Sequence, residues 1–230
     1  MIIYGRNPVH EALRGPRTVQ NIWTTAEAAK EAWLRAAGVA PTIVSGSAIE
    51  QRCGSSGHQG VCALVSEFSY AEAGLLLGQG GLIIALDQVQ DPQNLGSICR
   101  SAECVGAAGL VVTERRAAAV TPAVCKASAG AVEHLSVARV RNLTDFLNAA
   151  KARGYWCYGA DGSAETDYRQ VDFSGPVVLV LGSEGSGLRP RVAAACDLLV
   201  ALPLRGRTES LSVAAAAAVL LYTAAAAPQR

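Results

Sequence analysis

The texture of the apolar positions changes near residue 80. Before it they come in short, interrupted groups. Ile2-Ile3-Tyr4 is broken by Gly5-Arg6-Asn7-Pro8, Val9–Arg14 reads as a first helix stopped by Gly15-Pro16, and Val19–Thr24 alternates as a strand does. The spacing predicts a helix over Ala26–Ala37 with Trp33 and Leu34 inward, a short strand at Pro41–Val44, a helix at Ser47–Cys53 and a strand at Val61–Ser66. These make a small α/β unit over residues 1–68. A short helix and linker rich in glycine, 69–80, follows.

Beyond it the runs are unbroken. Leu82–Leu86, Leu110–Val112 and Val177–Leu181 are apolar throughout, as strands buried on both faces of a parallel sheet are. Strands at Ser136–Val140, Tyr155–Tyr158 and Leu198–Leu202 alternate with helices at Leu95–Val105, Pro122–Ala131, Leu143–Arg153 and Pro190–Cys196. The expected architecture for residues 81–230 is an open, mostly parallel α/β sheet, whose ligands bind beyond the carboxyl ends of the strands. The last helix, Val213–Ala227, is nearly all Ala, Val and Leu, and either Ser210 or Ser212 can cap it. Its small side chains admit a close neighbour, either its own sheet or a second chain.

Composition narrows the partners. Half the residues are hydrophobic, 17% are charged and the net charge is +1, so no global field draws the protein to nucleic acid or to anionic membrane. Residues 1–72 hold six basic and six acidic side chains, so neither part is polarised. A nucleic-acid site would have to be a local arginine patch. The seven cysteines form no C-x-x-C pair and there are three histidines, which gives no metal pattern and suits a reducing cytosol. Met1–Arg6 meets a charge and a glycine before an apolar run develops, so no secretory signal is expected. The run at 213–227 is too short and too alanine-rich for a membrane span. The expectation is therefore a cytoplasmic protein with neither membrane nor metal.

Two stretches carry candidate chemistry. Asn94 and Gly96 open a predicted helix, with Arg100 one turn after Gly96: a phosphate site, or a capping Asn beside a solvated Arg. Gly182-Ser183-Glu184-Gly185-Ser186-Gly187 follows a buried strand but lacks the Gly-Lys-Ser/Thr ending of a phosphate loop, and Glu184 would repel a triphosphate. Such a loop can instead admit a flat, uncharged or cationic ligand close to the backbone. His58, in a loop before a strand, fits a turn residue or a ligand contact equally.

Taken together, Asn94-Leu95-Gly96 with Arg100, Leu181-Gly182-Ser183-Glu184-Gly185-x-Gly187, and Leu202-Pro203-x-x-Gly206 with Ser210-Leu211-x-Val213 resemble the three motifs of the SpoU (TrmH) RNA 2′-O-ribose methyltransferases of the SPOUT superfamily. The amino-terminal IYGRNPVHEAL and HQGVCALV are similar to the small RNA-binding domain of the family's RlmB-like branch. The resemblance implies a deep trefoil knot in the C-terminal domain, S-adenosylmethionine as cofactor and a homodimer formed through the knot and the last helix. It implies transfer of a methyl group to a ribose 2′-hydroxyl, with rRNA favoured over tRNA as the substrate.

The resemblance also assigns residues. Gly159, Ala160, Leu181, Gly182, Gly187, Leu202, Leu204, Gly206, Ser210 and Leu211 would hold the cofactor. Arg100, Glu184, Asn94, Ser210 and Ser212 would form the catalytic group, with Glu184 orienting Arg100. Arg100 is either the base or an electrostatic partner, and the second fits a guanidinium that stays protonated. Arg6, Arg100, Lys126, Arg189, Arg191, Arg205 and Arg207 would bind RNA, against a solvated patch as the plainer reading. One position departs from the family pattern Ser/Asn-Leu-Asn-Val-Ser: Ser212 stands where an asparagine is usual. That leaves a knotted RNA-binding dimer with little catalysis as an alternative.

Overall fold

A computed structural model describes residues 1–208 and 210–227. Glu209 and the last three residues of the domain expected to reach 230 lie outside the described residues.

The amino-terminal unit is a four-stranded sheet of order β1-β4-β2-β3, built from β1 (Ile2–Tyr4), β2 (Val19–Thr24), β3 (Thr42–Ile43) and β4 (Val61–Val65). β4 is antiparallel to both of its neighbours, and β3 runs parallel to β2 at the edge. Helices α1 (Arg6–Arg14), α2 (Ala32–Arg35) and α3 (Gly46–Cys53) complete it. The helix expected over Ala26–Ala37 is broken. Ala28–Lys30 forms a single 3₁₀ turn, and Glu31 adopts an extended ψ of 130° before α2 begins. Ala28 and Leu34 are both buried, yet six positions apart they would point to different faces of one continuous helix. The break lets both reach the core and brings Glu31 to within 2.9 Å of Arg6.

The second sheet has six strands, all parallel, in the order β10-β8-β9-β5-β6-β7. They are β5 (Leu82–Asp87), β6 (Gly109–Thr113), β7 (Val137–Val140), β8 (Trp156–Ala160), β9 (Val177–Gly182) and β10 (Leu198–Val200). Alternate residues of β5 feed two cores. Leu82, Ile84 and Leu86 pack with α5 (Pro92–Cys104), α6 (Pro122–Ala127) and α9 (Val213–Ala226). Ile83 and Ala85 pack with α4 (Ala73–Leu76), α7 (Leu143–Lys151) and α8 (Pro190–Ala193). Burial on both faces explains why these strands are apolar without alternation.

Several boundaries differ from the expectation, each for a local reason. α5 starts three residues before Leu95, because Asp91 accepts the amide of Gln93 at 2.9 Å and Pro92 supplies the first turn. α6 stops at Ala127 because Ala129 and Gly130 take left-handed φ values of 53° and 87°. α8 ends at Ala193 and β10 at Val200, shorter than expected. Ser212, not Ser210, caps α9, its Oγ accepting the amide of Ala215 at 3.2 Å.

The two units share one continuous core. The segment 69–80 is docked rather than free: Ala71 bridges to Ala138 of β7, and Leu76 and Leu77 are buried. Across the seam Arg17 donates from Nη2 and Nε to Glu133, at 2.6 and 2.9 Å, with both side chains almost fully buried. Burial would lower the pKa of Arg17, but the bonds to Glu133 outweigh it and the net shift is upward. Lys126 Nζ donates to Gln59 Oε1 at 2.9 Å along the same seam, and Glu11 meets His134 at 2.8 Å. Among the described residues no helix is long and apolar enough to cross a membrane.

Candidate active site

A cavity of about 700 Å³ opens at the carboxyl ends of β8, β9 and β10, where a parallel α/β sheet places ligands. Its floor is the turn after β9. Gly182 to Gly187 folds back on itself through paired backbone bonds between Ser183 and Gly187, at 3.2 and 3.0 Å. A side chain at Gly182 could not be accommodated, since its Cβ would lie 2.1 Å from the carbonyl carbon of Gly187. The loop's far end is fixed from below. Asp87, wholly buried at the tip of β5, accepts the backbone amide of Arg189 at 2.9 Å and its Nε at 2.7 Å.

The opposite wall is the segment from Val200 through Leu202 and Leu204 to Ser210, Leu211 and Ser212, continuing into Val213 and Ala216 of α9. The walls are largely aliphatic and backbone. Among the described residues two carboxylates line the space, Asp161 and Glu184. The Ser163 hydroxyl and amide, at 2.7 and 2.8 Å, hold the pKa of Asp161 below the ordinary carboxylate value. Glu184 is exposed and takes a bond from Asn94 Nδ2, at 2.9 Å, across 90 positions of sequence. A narrow aliphatic slot with a glycine floor and acidic groups suits a flat ligand that carries positive charge.

Of the residues expected at the cofactor, Ala160, Leu181, Gly182, Gly187, Leu202, Leu204, Ser210 and Leu211 line this cavity. Gly159 and Gly206 do not. Gly159 is turned to the other core, where an added Cβ would meet Leu199 and Leu188, and a Cβ at Gly206 would lie 4.0 Å from the amide of Thr208. Of the catalytic group, Glu184, Ser210 and Ser212 line the cavity and Asn94 is bonded to its rim. Arg100 lies outside it. Glu184 therefore reaches Asn94 rather than Arg100, which is exposed and makes no hydrogen bond or ion pair among the described residues.

The expected RNA-binding residues divide. Arg6 pairs with Glu31, Lys126 bonds to Gln59, and Arg189 is committed to Asp87; these three help to hold the fold. Arg191 and Arg207 are exposed without such partners among the described residues, and Arg205, also exposed, interacts through its charge with Asp167. Gly96 belongs to packing: a Cβ there would lie 2.4 Å from Ala127, so α5 and α6 touch at that point. His58 Nδ1 accepts the amide of Gly60 at 2.9 Å, which is the turn role.

The SpoU rRNA Methylase family model matches residues 81–222, and a model described as RNA 2′-O ribose methyltransferase substrate binding matches residues 2–71. The chain belongs to the SpoU/TrmH family of RNA methyltransferases. The TrmH-family protein YacO of Bacillus subtilis, whose name describes a tRNA/rRNA methyltransferase, is 38% identical over 96% of this chain and 93% of its own. The SpoU methyltransferase AviRb from Streptomyces viridochromogenes, solved in complex with AdoMet, superposes with a TM-score of 0.82 at 27% identity, covering 98% of this chain and 89% of that one. An AdoMet-bound rRNA methyltransferase from Sinorhizobium meliloti gives 0.79 at 28% identity, over 97% and 85%.

Within this SpoU-family chain, sequence reasoning left out Asp87, which anchors the loop, and the cavity-lining Val200 and Ala216. Asp87 left a readable signal, a carboxylate closing a fully apolar strand. The partnership of Asn94 with Glu184 left none, since nothing local links the two positions.

Proposed function

We propose that this protein transfers a methyl group from S-adenosylmethionine to a ribose 2′-hydroxyl of RNA, with a guanosine of 23S-type rRNA as the target. The observation that carries the reading is the slot of about 700 Å³ between the Gly182–Gly187 turn and the Leu202–Ala216 segment, with the Asn94–Glu184 bond at its rim. The glycine floor lets a flat base lie on backbone, the aliphatic walls exclude water, and Asp161 and Glu184 complement a sulfonium and an amine.

When bound, the cofactor supplies an electrophilic methyl carbon on a positively charged sulfur. The chain's part is to align the 2′-oxygen with that carbon and to stabilise the charge that moves, because positioning accounts for most of the gain in such a displacement. Glu184, tied to Asn94, orients the ribose. Arg100 stays protonated and draws the 2′-hydroxyl towards ionisation electrostatically, the proton leaving through an adjacent phosphate or water. Arg191, Arg205 and Arg207 hold phosphates.

Arg100 is outside the slot of its own chain, and α9 leaves Val219 and Tyr222 39% and 58% exposed. Both features fit a homodimer through α9 in which Arg100 serves the partner's slot and the C-terminal segment is knotted through the 181–187 loop. Seven free cysteines fit a cytoplasmic setting.

Labelled methyl transfer to total RNA from a host lacking the gene tests the reading. Label resistant to alkali, in rRNA, lost in Glu184→Ala and Arg100→Ala, supports it. Label in tRNA would move the substrate, and label in a base would overturn the ribose assignment. One observation favours a second reading, a binding dimer with little catalysis: the Ser212 hydroxyl is occupied as the helix cap. Cofactor binding without transfer would support that reading.

A further inference from the structure

The carboxyl edge of the large sheet carries a second feature, away from the slot. β6 leads into Glu114-Arg115-Arg116, and the edge strand β7 closes on Arg139-Val140 and leads into Arg141. The two strands are parallel, with Val112 opposite Arg139 and Thr113 opposite Val140, so all four arginines gather at one end of adjacent strands. It is the same edge at which the slot opens. β6 is two strands from β9 and β7 is three, so the cluster lies roughly 10–14 Å along the edge from Gly182 at the usual strand spacing.

The cluster is weakly neutralised. Three carboxylates lie on or beside its elements: Glu114, Asp145, and Glu72, which follows Ala71 where that residue bridges to Ala138 of β7. Glu114 meets Arg141 at 3.6 Å with the arginine 91% exposed, a pairing that solvent leaves nearly worthless. The side chains of Arg115 and Arg116 make no hydrogen bond or ion pair among the described residues, and both are exposed. Arg139 is partly engaged, its Nη2 donating to the backbone carbonyl of Glu114 at 3.4 Å. Its guanidinium sits 5.0 Å over the ring of Tyr70, whose hydroxyl accepts the amide of Val120 at 2.9 Å. Arg116 also holds a φ of +57°, in the left-handed region that residues other than glycine seldom adopt. A strained, unpartnered residue is a pointer towards function. With a net charge of +1 for the whole protein, such a patch is a local feature rather than part of a general basic surface.

We propose that Arg115, Arg116, Arg139 and Arg141 bind phosphates of the RNA strand flanking the target nucleotide, so that the RNA runs along the carboxyl edge of the sheet from the slot towards β7. This rests on the RNA methyl-transfer reading above and adds the direction of approach. Guanidinium forks suit phosphate oxygens, and an unpaired strand crossing this edge would meet them within a few nucleotides of the reacting ribose.

The test is a full-length variant carrying Arg115→Gln, Arg116→Asn, Arg139→Gln and Arg141→Gln, asparagine being chosen to tolerate the left-handed backbone. RNA affinity is measured by anisotropy against salt, alongside KM for RNA, cofactor affinity and kcat at saturating RNA. The expectation is a tenfold or greater rise in Kd and KM, with each lost phosphate contact removing about 0.7 from the slope of log K against log salt. Cofactor affinity and kcat stay as in the wild type. Glu114→Gln provides the opposite sign: it leaves the arginines in place and tightens RNA binding. Unchanged RNA affinity in both variants, with the wild type still methylating that RNA, overturns the proposal and assigns the patch to a protein partner or to solvent. A wild type that neither binds nor methylates RNA overturns the reading beneath it as well.

Discussion

Charge is handled in opposite ways at the seam between the two sheets and at the mouth of the slot. At the seam Arg17 and Glu133 are nearly sealed from water and satisfy each other through two bonds. At the mouth Glu184 is exposed and held by one bond from Asn94, while Arg100, Arg191 and Arg207 make no ion pair among the described residues and Arg205 is left to a Coulombic interaction with Asp167. The first arrangement fixes how the small unit sits on the large one. The second leaves charges whose interactions in the folded chain are incomplete, as groups awaiting a ligand are. Between them lies Asp87, buried like Glu133 but spent on anchoring the loop that bears Glu184.

The sharpest way to break the contrast is Glu133→Ala. It strands the Arg17 guanidinium in the core, and the expected loss is about 3–5 kcal/mol, read as a large fall in thermal midpoint. The paired replacement Arg17→Met with Glu133→Leu recovers much of it, because two apolar side chains avoid the cost of desolvating two charges. At the mouth the matching experiment, Glu184→Ala, leaves the midpoint nearly unchanged and abolishes transfer. A stability loss at Glu184 comparable to that at Glu133 would dissolve the distinction.

Gly182→Ala comes next. The added methyl has no space against Gly187, so the turn must shift, at about 1–3 kcal/mol. Cofactor binding, measured by calorimetry, is expected to be lost at a midpoint that still shows a folded protein. Retained affinity would mean that the turn does not form the floor of the binding site.

Ser212 separates the two roles at one residue. Its hydroxyl caps α9, so Ser212→Ala costs about 1 kcal/mol. Ser212→Asn preserves the cap, since asparagine serves as well there, and restores the amide usual in the family. Turnover should rise at constant stability. If turnover and cofactor affinity stay unchanged, the missing amide has no bearing on activity.

The doubly buried strands were legible because burial on both faces demands apolar runs, and Leu82–Leu86 and Val177–Leu181 are such runs. The slot's two edges were legible because a glycine loop follows Val177–Leu181 and a Pro-Gly loop follows the strand at Leu198–Val200. What was not legible depends on distance in sequence. Ala26–Ala37 has helical composition, but Ala28 and Leu34 must both reach a core made by β1 and β4, and that demand breaks the helix. Arg189 read as a phosphate ligand because its partner, Asp87, lies 102 positions away. The arginines of β6 and β7 look scattered until the parallel register sets them side by side.

The smallest effect tests the seam's outer margin, where it resembles the mouth more than the core. Glu11 and His134 meet at 2.8 Å across the units, partly exposed to solvent. Burial would raise the pKa of Glu11, but the His134 hydrogen bond and the charges of Arg14, His134 and His10 outweigh it, and the net shift is downward. A carboxylate whose pKa falls on folding adds stability above its unfolded value, about 4.3, and loses that stability as the pH drops through the lower folded value. Urea melts of wild type and Glu11→Gln should therefore differ by no more than about 1 kcal/mol at neutral pH and converge in acid. A difference that persists at low pH would show that Glu11 acts by packing rather than by charge. The seam would then be ionic only at Arg17 and Glu133, where water is excluded.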